Sequence, residues 1–222
     1  MTQASVSRGE SSIAAVLLAA GAGSRFGGER GEKLLADFRG RPLVLHAMQT
    51  LYASPVEGVF VVVEDASGKV ASLCAEHGFR VVENRAAREG QATSVAAGLR
   101  AVEDHGGFGA ALVMLGDQPL VGEEVVRRIV GAFRDGAKVA VATYSGKPRN
   151  PVLFSHGVWD DLKHEMTGDE GARSFLRSRR DLIVEVECGD VGSPADVDTR
   201  DDLEGLEADP DAGSETQKRR SS

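Results

Sequence analysis

The sequence has few of the features that mark secreted, zinc-binding or membrane-spanning proteins. Its two cysteines, Cys74 and Cys188, belong to no Cys-x-x-Cys pair and to no Cys/His cluster with zinc-like spacing, so we expect two reduced thiols. No apolar run approaches the roughly twenty residues that cross a bilayer. The polar start MTQASVSRGESS lacks the apolar segment of a signal peptide. These absences predict a cytoplasmic protein without a membrane partner.

Basic side chains are outnumbered by acidic ones, with 26 Lys and Arg against 34 Asp and Glu. The 222 residues carry a formal net charge of −8, and a field of this sign repels polyanions, so we expect no nucleic-acid partner. One stretch departs from this balance, because five basic side chains outnumber three acidic ones between residues 25 and 41. This local excess of positive charge suits a small anion.

Short apolar runs alternate with segments of helical periodicity. Such alternation, with strands buried on both faces, predicts an α/β fold: a single-domain, Rossmann-like three-layer sandwich with a mostly parallel central sheet. We place this domain at residues 12–206, between disordered tails at 1–11 and 207–222. The predicted strands are 13–18, 59–63, 79–82, 109–115, 138–143, 152–154 and 182–186, and the predicted helices are 42–53, 67–77, 91–104, 123–134, 158–163 and 171–179.

A glycine-rich loop, GAGSRFGG, directly follows the first predicted strand. Ligands of open α/β sheets bind beyond the carboxyl ends of the strands, and glycines let backbone N–H groups approach phosphate oxygens. A turn that merely needs positive φ is the alternative. The loop is not a P-loop, because Glu29 stands where the lysine should be, and it matches the dinucleotide fingerprint weakly, because Phe26 replaces the third glycine.

Two acidic motifs follow later in the chain. In VMLGDQPLV, Asp117 comes directly after an apolar run, where a carboxylate can hold Mg²⁺ against phosphate oxygens or can cap a turn. In SPADVDTRDDL, Thr199 and Asp202 have the spacing of a capping box for a short last helix. Two prolines flank Arg149 and Asn150 in GKPRNPVLF, which favours a rigid loop over a strand.

Together these motifs resemble the MobA-like nucleotidyltransferases. The matching segments are LAAGAGSRFGG with a following lysine, EGQATSV, GDQP, DVDTRDDL, the P-x-x-P-V-L-F pattern and GDEGAR. The first two segments are most similar to those of the molybdenum cofactor cytidylyltransferases. The resemblance implies a fold of the nucleotide-diphospho-sugar transferase type and covers residues 13–206. The connection to the lysine, GERGEK, is longer than in the family, which leaves Arg30 as an alternative to Lys33.

The resemblance also implies roles for individual residues. Arg25, Lys33 and Asp117 would be catalytic, and Asp117 and Asp198 would bind the metal, with Asp196 as a weaker alternative. The acceptor would be bound by Lys147, Arg149, Asn150 and Arg173. The nucleotide would be bound by Leu18, Ala19, Ala20, Gly21, Gly23, Ser24, Arg25, Lys33, Gly90, Gln91 and Ser94.

The implied reaction is Mg²⁺-dependent transfer of CMP from CTP to the terminal phosphate of a pterin cofactor, with an apo molybdenum hydroxylase as a further partner. No Ser/His/Asp or Cys/His set is evident, in keeping with catalysis by alignment and charge neutralisation. Three alternatives remain open: GTP or another phosphorylated acceptor, an NAD(P)-dependent reductase, and a chaperone for the finished molybdenum cofactor.

Overall fold

A seven-stranded sheet runs through the middle of the protein. The computed structural model describes residues 11–21, 23–27 and 32–208. Within them the strands are β1 (Ile13–Leu18), β2 (Asp37–Phe38), β3 (Arg41–Pro42), β4 (Gly58–Val63), β5 (Arg80–Glu83), β6 (Ala110–Leu115), β7 (Val139–Tyr144), β8 (Lys147–Ser155) and β9 (Ile183–Glu187). The sheet order is β5-β4-β1-β6-β8-β7-β9, and β2 pairs with β3 in a separate hairpin. Only β8 among the paired strands of this sheet runs antiparallel to its neighbours.

Helices cover both faces of the sheet. They are α1 (Glu32–Leu35), α2 (Leu43–Ala53), α3 (Lys69–Glu76), α4 (Gln91–His105), α5 (Glu123–Arg134), α6 (Trp159–Glu165), α7 (Arg173–Ser178) and α8 (Arg200–Ala208). Alternate side chains of β1 enter two hydrophobic cores, one shared with α2, α3 and α5 and the other with α4, α6 and α7. The predicted three-layer α/β architecture with a mostly parallel sheet is therefore confirmed.

The central strand β1 sets the position of everything that follows it. It pairs in parallel with β4 on one side and β6 on the other, and all six of its residues are buried. A strand buried on both faces needs a continuous apolar sequence, which IAAVLL provides. Helix α4 lies close against it at Gly98, where an added Cβ would collide with Val16. Because β1, β4 and β6 run in parallel, the segments that follow them leave the sheet at one edge.

One prediction about the second half of the chain is wrong. Residues 148–151 were expected to form a rigid loop, but they lie within β8, and Pro148 and Arg149 pair with β7. The register shifts between Val141 and Ala142, which accommodates Asn150 and Pro151, and the paired residues of β6 face only 152–155. The prolines therefore lie where strand β6 requires no N–H donor, so they do not break the strand.

The last helix confirms the predicted capping box. The backbone N–H of Asp202 donates to Thr199 Oγ1 at 3.1 Å, and that of Thr199 donates to Asp202 Oδ2 at 2.7 Å. The helix continues to Ala208, two residues past the predicted end of the domain at 206. The rest of the two predicted tails, residues 1–10 and 209–222, lies outside the described residues.

Two further observations concern the cysteines and the helices. Cys74 and Cys188 are both free and buried, and burial raises the pKa of each thiol to about 11. Among helices in the described part of the chain, none has the length and apolar character needed to cross a bilayer.

Candidate active site

The glycine loop and the GDQP segment leave the sheet side by side. The backbone N–H of Ala19 donates to the Val62 carbonyl at 2.8 Å, and that of Gly116 donates to the Leu18 carbonyl at 2.9 Å. A Cβ on Gly116 would lie 3.2 Å from that same carbonyl oxygen, so glycine permits this close approach. The loop after β1 and Asp117 after β6 consequently meet at one edge of the sheet, as Rossmann-like folds place their ligands.

Lys33 joins the two predicted metal ligands. Its side chain is 9% exposed, and its Nζ donates to Asp117 Oδ2 at 2.7 Å and to Asp198 Oδ1 at 3.3 Å. Gly23 packs over it, since a Cβ on that glycine would lie 3.3 Å from Lys33 Cβ. The longer GERGEK connection therefore leaves Lys33 beside the loop. Arg30, the alternative to Lys33, lies outside the described residues.

Arg25 adds a second cation to this network. Its Nη2 lies 2.8 Å from Asp198 Oδ2, and its side chain is 73% exposed, so much of the guanidinium faces solvent. Two cations and two carboxylates thus form one connected set, drawn from the glycine loop, α1, the end of β6 and the segment before α8. Such a set can bind phosphate oxygens through its cations and a metal ion through its carboxylates.

Backbone hydrogen bonds bring Asp198 to Asp117. The N–H of Val197 donates to the Asp117 carbonyl at 3.0 Å, and the N–H of Ser193 donates to the Leu120 carbonyl at 3.2 Å. Between them, the buried Gln118 donates through Nε2 to the Pro194 carbonyl at 3.0 Å. Gln118 was not predicted as a site residue. The available signal was its position directly after Asp117. A side-chain amide that is buried at such a position needs hydrogen-bond partners.

The carboxylates fit a hard divalent cation. Oδ1 of Asp117 is buried and has no hydrogen-bond partner among the described residues. A buried carboxylate oxygen without a hydrogen bond lowers the stability of the fold unless a ligand binds to it. The described residues contain no cluster of three or more His, Cys, Asp or Glu side chains able to hold a metal. Phosphate and water oxygens would therefore complete the coordination, as Mg²⁺ commonly requires.

Two cavities open beside the β1 outlet. The smaller cavity, of about 600 Å³, is lined by Ala19, Ala20 and Gly21 and by residues that follow β4 and β5. The larger cavity, of about 700 Å³, includes Leu18 in its lining. The last residue of β1 therefore borders the larger cavity, and the three residues that follow it border the smaller one.

The smaller cavity is lined by oppositely charged side chains that pair with each other. Arg88 Nε lies 2.8 Å from Glu64 Oε1, and Arg85 Nε lies 2.9 Å from Glu83 Oε2. None of these four side chains was predicted as a site residue. They lie on separate segments near the ends of β4 and β5, and only the fold brings them together.

Gly90, Gln91 and Ser94, which were predicted to bind the nucleotide, are not among the described residues that line the smaller cavity. Ser94 is buried and accepts a hydrogen bond from Asn84 Nδ2 at 3.0 Å. Gly90 has a φ of 120°, and a Cβ there would lie 2.5 Å from the Gly168 carbonyl oxygen. Gln91 packs against Gly171 and lines the larger cavity. Thus the start of α4 contacts the 168–171 turn and faces the larger cavity.

The larger cavity combines an apolar floor with cations. Val113, Val141, Val152 and Phe154 of the sheet line it, together with Leu176 of α7. Three of the four predicted acceptor residues, Arg149, Asn150 and Arg173, also line it, joined by Arg177, Arg180, Glu170 and Glu185. Lys147 is exposed at the start of β8 and is not among the described lining residues.

The fold and this edge-of-sheet site define a nucleotidyltransferase, a class that binds nucleoside triphosphates. Residues 15–183 match the model of the MobA-like NTP transferase domain. The chain therefore belongs to the MobA-like NTP transferase family, as the sequence motifs predict.

Alignments with similar proteins cover most of the chain. It is 33% identical to nicotine blue oxidoreductase of Paenarthrobacter nicotinovorans, over 84% of this chain and 92% of that protein. It is also 34% identical to the 2-C-methyl-D-erythritol 4-phosphate cytidylyltransferase of Streptomyces coelicolor, over 60% of this chain and 50% of that protein.

Solved structures agree with this fold. The crystal structure of Rv0371c from Mycobacterium tuberculosis H37Rv has a TM-score of 0.76 and 27% identity, covering 90% of this chain and all of that one. The same protein has also been solved as a complex with manganese, with a TM-score of 0.72, 26% identity and 89% and 98% coverage. Rv0371c has therefore been observed with a divalent metal ion.

Proposed function

We propose that the protein transfers CMP from CTP to the terminal phosphate of a molybdenum–pterin cofactor and releases pyrophosphate, with Mg²⁺ as its metal. The observation that carries this proposal is the charge network in which Lys33 bridges Asp117 and Asp198 beside the glycine loop. Two cations for a triphosphate and two carboxylates for a metal are the groups that nucleotidyl transfer needs.

The reaction is a substitution at phosphorus. An oxygen of the acceptor phosphate forms a bond to the α-phosphorus of CTP, the bond to the bridging oxygen breaks, and pyrophosphate leaves with that electron pair. The acceptor oxygen is already ionised near neutral pH, so no general base is required. A bound Mg²⁺, held by Asp117 and Asp198, would neutralise charge on the phosphate oxygens.

The cations act on the leaving group. When the triphosphate binds, the ammonium of Lys33 can transfer hydrogen bonds from the two carboxylates to phosphate oxygens. Arg25, with an exposed guanidinium on the other side of Asp198, can bind the same pyrophosphate. The backbone N–H groups of the loop, including Gly21, Gly23 and Ser24, would contact the remaining oxygens. Catalysis would then depend on alignment and charge compensation.

The two cavities suit different parts of the substrates. Cytosine is uncharged, and the three acidic and three basic side chains that line the smaller cavity balance in number, so this cavity suits the base of CTP. The acceptor carries phosphate on a heterocycle, which suits the apolar floor and the arginines of the larger cavity. In this proposal Gln91 faces the acceptor and Gly90 fixes the turn that borders it. The similarity to a cytidylyltransferase supports CTP as the donor.

A ligand-binding series tests this proposal. Thermal shifts are measured with CTP, GTP, ATP and NADPH, each with and without Mg²⁺. A ligand at a hundred times its dissociation constant adds about 2.7 kcal/mol to the free energy of unfolding. We expect the largest shift with CTP and only when Mg²⁺ is present. A preference for GTP would overturn the choice of base, and no shift with any triphosphate would overturn the proposal.

An NAD(P)-dependent reductase is the second candidate. It is favoured by the 33% identity to a protein named as an oxidoreductase, over most of both chains. Against it, Phe26 stands at the third glycine position of the dinucleotide fingerprint. A metal-independent shift with NADPH, together with oxidation of NADPH in the presence of an aromatic electron acceptor, would support the reductase.

A further inference from the structure

Arg200 contacts both ends of the connection between the two phosphate-binding cations. Its Nη2 donates to Glu32 Oε1 at 2.8 Å, and its guanidinium carbon lies 4.9 Å from the centre of the Phe26 ring. Phe26 directly follows Arg25, and Glu32 directly precedes Lys33. One side chain, two residues after Asp198, therefore spans the immediate neighbours of both cations.

The ring under Arg200 is itself fixed in place. Phe26 is 3% exposed and packs in a small hydrophobic cluster with Phe38, Leu43 and Val197, and partly buried leucines of α8 pack against that cluster. Its backbone N–H closes a turn by donating to the Gly23 carbonyl at 3.0 Å. The face of Phe26 thus offers Arg200 a rigid surface for a cation–π contact.

We infer that Arg200 is a positioning residue, which holds Arg25 and Lys33 at the spacing that the triphosphate requires. This inference rests on the proposed function. The chain between the two cations is longer than the family pattern, and residues 28–31 connect Gly27 to Glu32. Arg200 contacts the residues at both ends of this connection, and it lies in the same segment as Asp198. It therefore holds both cations in position relative to that carboxylate.

The expected effect is local. The side chains of Arg200 and Glu32 are 59% and 42% exposed, and an ion pair this exposed contributes little to the global free energy of unfolding. Arg25 and Lys33 repel each other, however, and both must approach one ligand. A loop that is ordered before binding avoids the entropy cost of bringing them together, which appears as tighter ligand binding.

The test substitutes Arg200→Gln in the full chain. Isothermal titration with Mg²⁺ and either inorganic pyrophosphate or CTP measures the affinity of the cation pair without the acceptor. We expect about fivefold weaker binding of both ligands, from the loss of one exposed ion pair and one cation–π contact. The KM for CTP should rise in parallel, while kcat at saturation stays within about twofold of the wild type.

Two further variants separate the contacts. Arg200→Lys keeps a charge for Glu32 but loses the planar group that stacks on Phe26, so we expect an intermediate affinity. Phe26→Leu keeps apolar packing but removes the ring, and it should weaken pyrophosphate binding in the same direction. Arg39→Gln is the matched control, because Arg39 contacts the other end of α8 through the Leu206 carbonyl.

The outcomes distinguish this inference from the proposed function. If the wild type binds CTP and pyrophosphate but Arg200→Gln binds them equally well, the positioning role is overturned and the proposed function stands. If Arg39→Gln weakens binding as much as Arg200→Gln, with the same loss of melting temperature, Arg200 serves only to dock α8. If the wild type binds neither ligand, the proposed function fails and this inference fails with it.

Discussion

The two cavities beside the β1 outlet differ in how their charges are balanced. In the smaller cavity, Arg88 pairs with Glu64 and Arg85 pairs with Glu83. In the larger cavity, Arg149, Arg173 and Arg180 have no ion pair with any other described residue, although Arg177 pairs with Glu170. A cavity whose charged side chains are paired with opposite charges suits a neutral group. A cavity with unpaired arginines, in a protein of negative net charge, suits an anion.

The network of Asp117, Lys33, Asp198 and Arg25 is distinct from both cavities. Its groups are not among the described residues that line either of them. If the comparison is right, substitutions in this network should impair the reaction whichever substrate is varied, while substitutions in one cavity should affect one substrate only. Substitutions in the network and in each cavity test this division.

Asp117→Asn should have the largest effect. The substitution keeps the shape of the side chain but removes the charge that is proposed to hold the metal, so we expect kcat to fall by about a hundredfold or more. Turnover at saturating CTP, acceptor and Mg²⁺ is the measurement. Asp190→Asn is the control, because Asp190 pairs with Arg128 away from the site. Near-normal turnover of Asp117→Asn would refute the metal assignment.

Lys33→Met should weaken nucleotide binding by at least about tenfold, the scale of one lost charge-assisted hydrogen bond. Titration of CTP with Mg²⁺ measures this affinity. Lys163→Met is a matched control, because Lys163 also contacts two carboxylates, those of Glu103 and Asp160, but on the α4–α6 side of the protein. Equal effects of the two substitutions on CTP affinity would mean that Lys33 acts only as a structural counter-ion.

Local sequence patterns predicted several elements of the fold, whereas the roles of Arg25, Lys33 and Asp198 came from the resemblance to the family. Strand β1, helix α5 and the Thr199–Asp202 capping box follow from local patterns, namely burial on both faces, amphipathic periodicity and side-chain spacing. Asp117 was singled out because an apolar run ends directly before it. Each of these features depends on residues close in sequence, so the sequence carries the signal.

The features that were missed depend on contacts between distant segments. Strand β8 contains Pro148 and Pro151, and its pairing with β7 shifts register beside Pro151, which neither strand reveals alone. Gln91 faces the larger cavity because Gly90 packs against the 168–171 turn, far along the chain. Arg200 reaches Phe26 and Glu32 only after α8 docks on the glycine loop. Contacts between such distant residues produce no local periodicity or residue spacing in the sequence.

Arg149→Ala and Arg173→Ala test the larger cavity. Each removes a cation that has no carboxylate partner among the described residues, so we expect the KM for a phosphorylated pterin acceptor to rise by about tenfold. The dissociation constant for CTP should not change. Arg127→Ala is the control, because Arg127 pairs with Glu123 and Glu124 on the exposed face of α5. Weaker CTP binding in either cavity variant would contradict the assignment of the larger cavity to the acceptor.

Arg88→Gln tests the smaller cavity and should have the smallest effect. Arg88 is 67% exposed and already paired with Glu64, so its loss should weaken CTP binding by only about threefold, the scale of one exposed charged contact. The KM for the acceptor should stay constant, the reverse of the pattern for Arg149→Ala. The substitution also removes the contact of Arg88 with Glu64. Affinities for CTP and UTP should therefore be compared, because the two bases differ in the donors and acceptors that they present to a carboxylate. An unchanged affinity for CTP with a raised KM for the acceptor would exchange the roles of the two cavities.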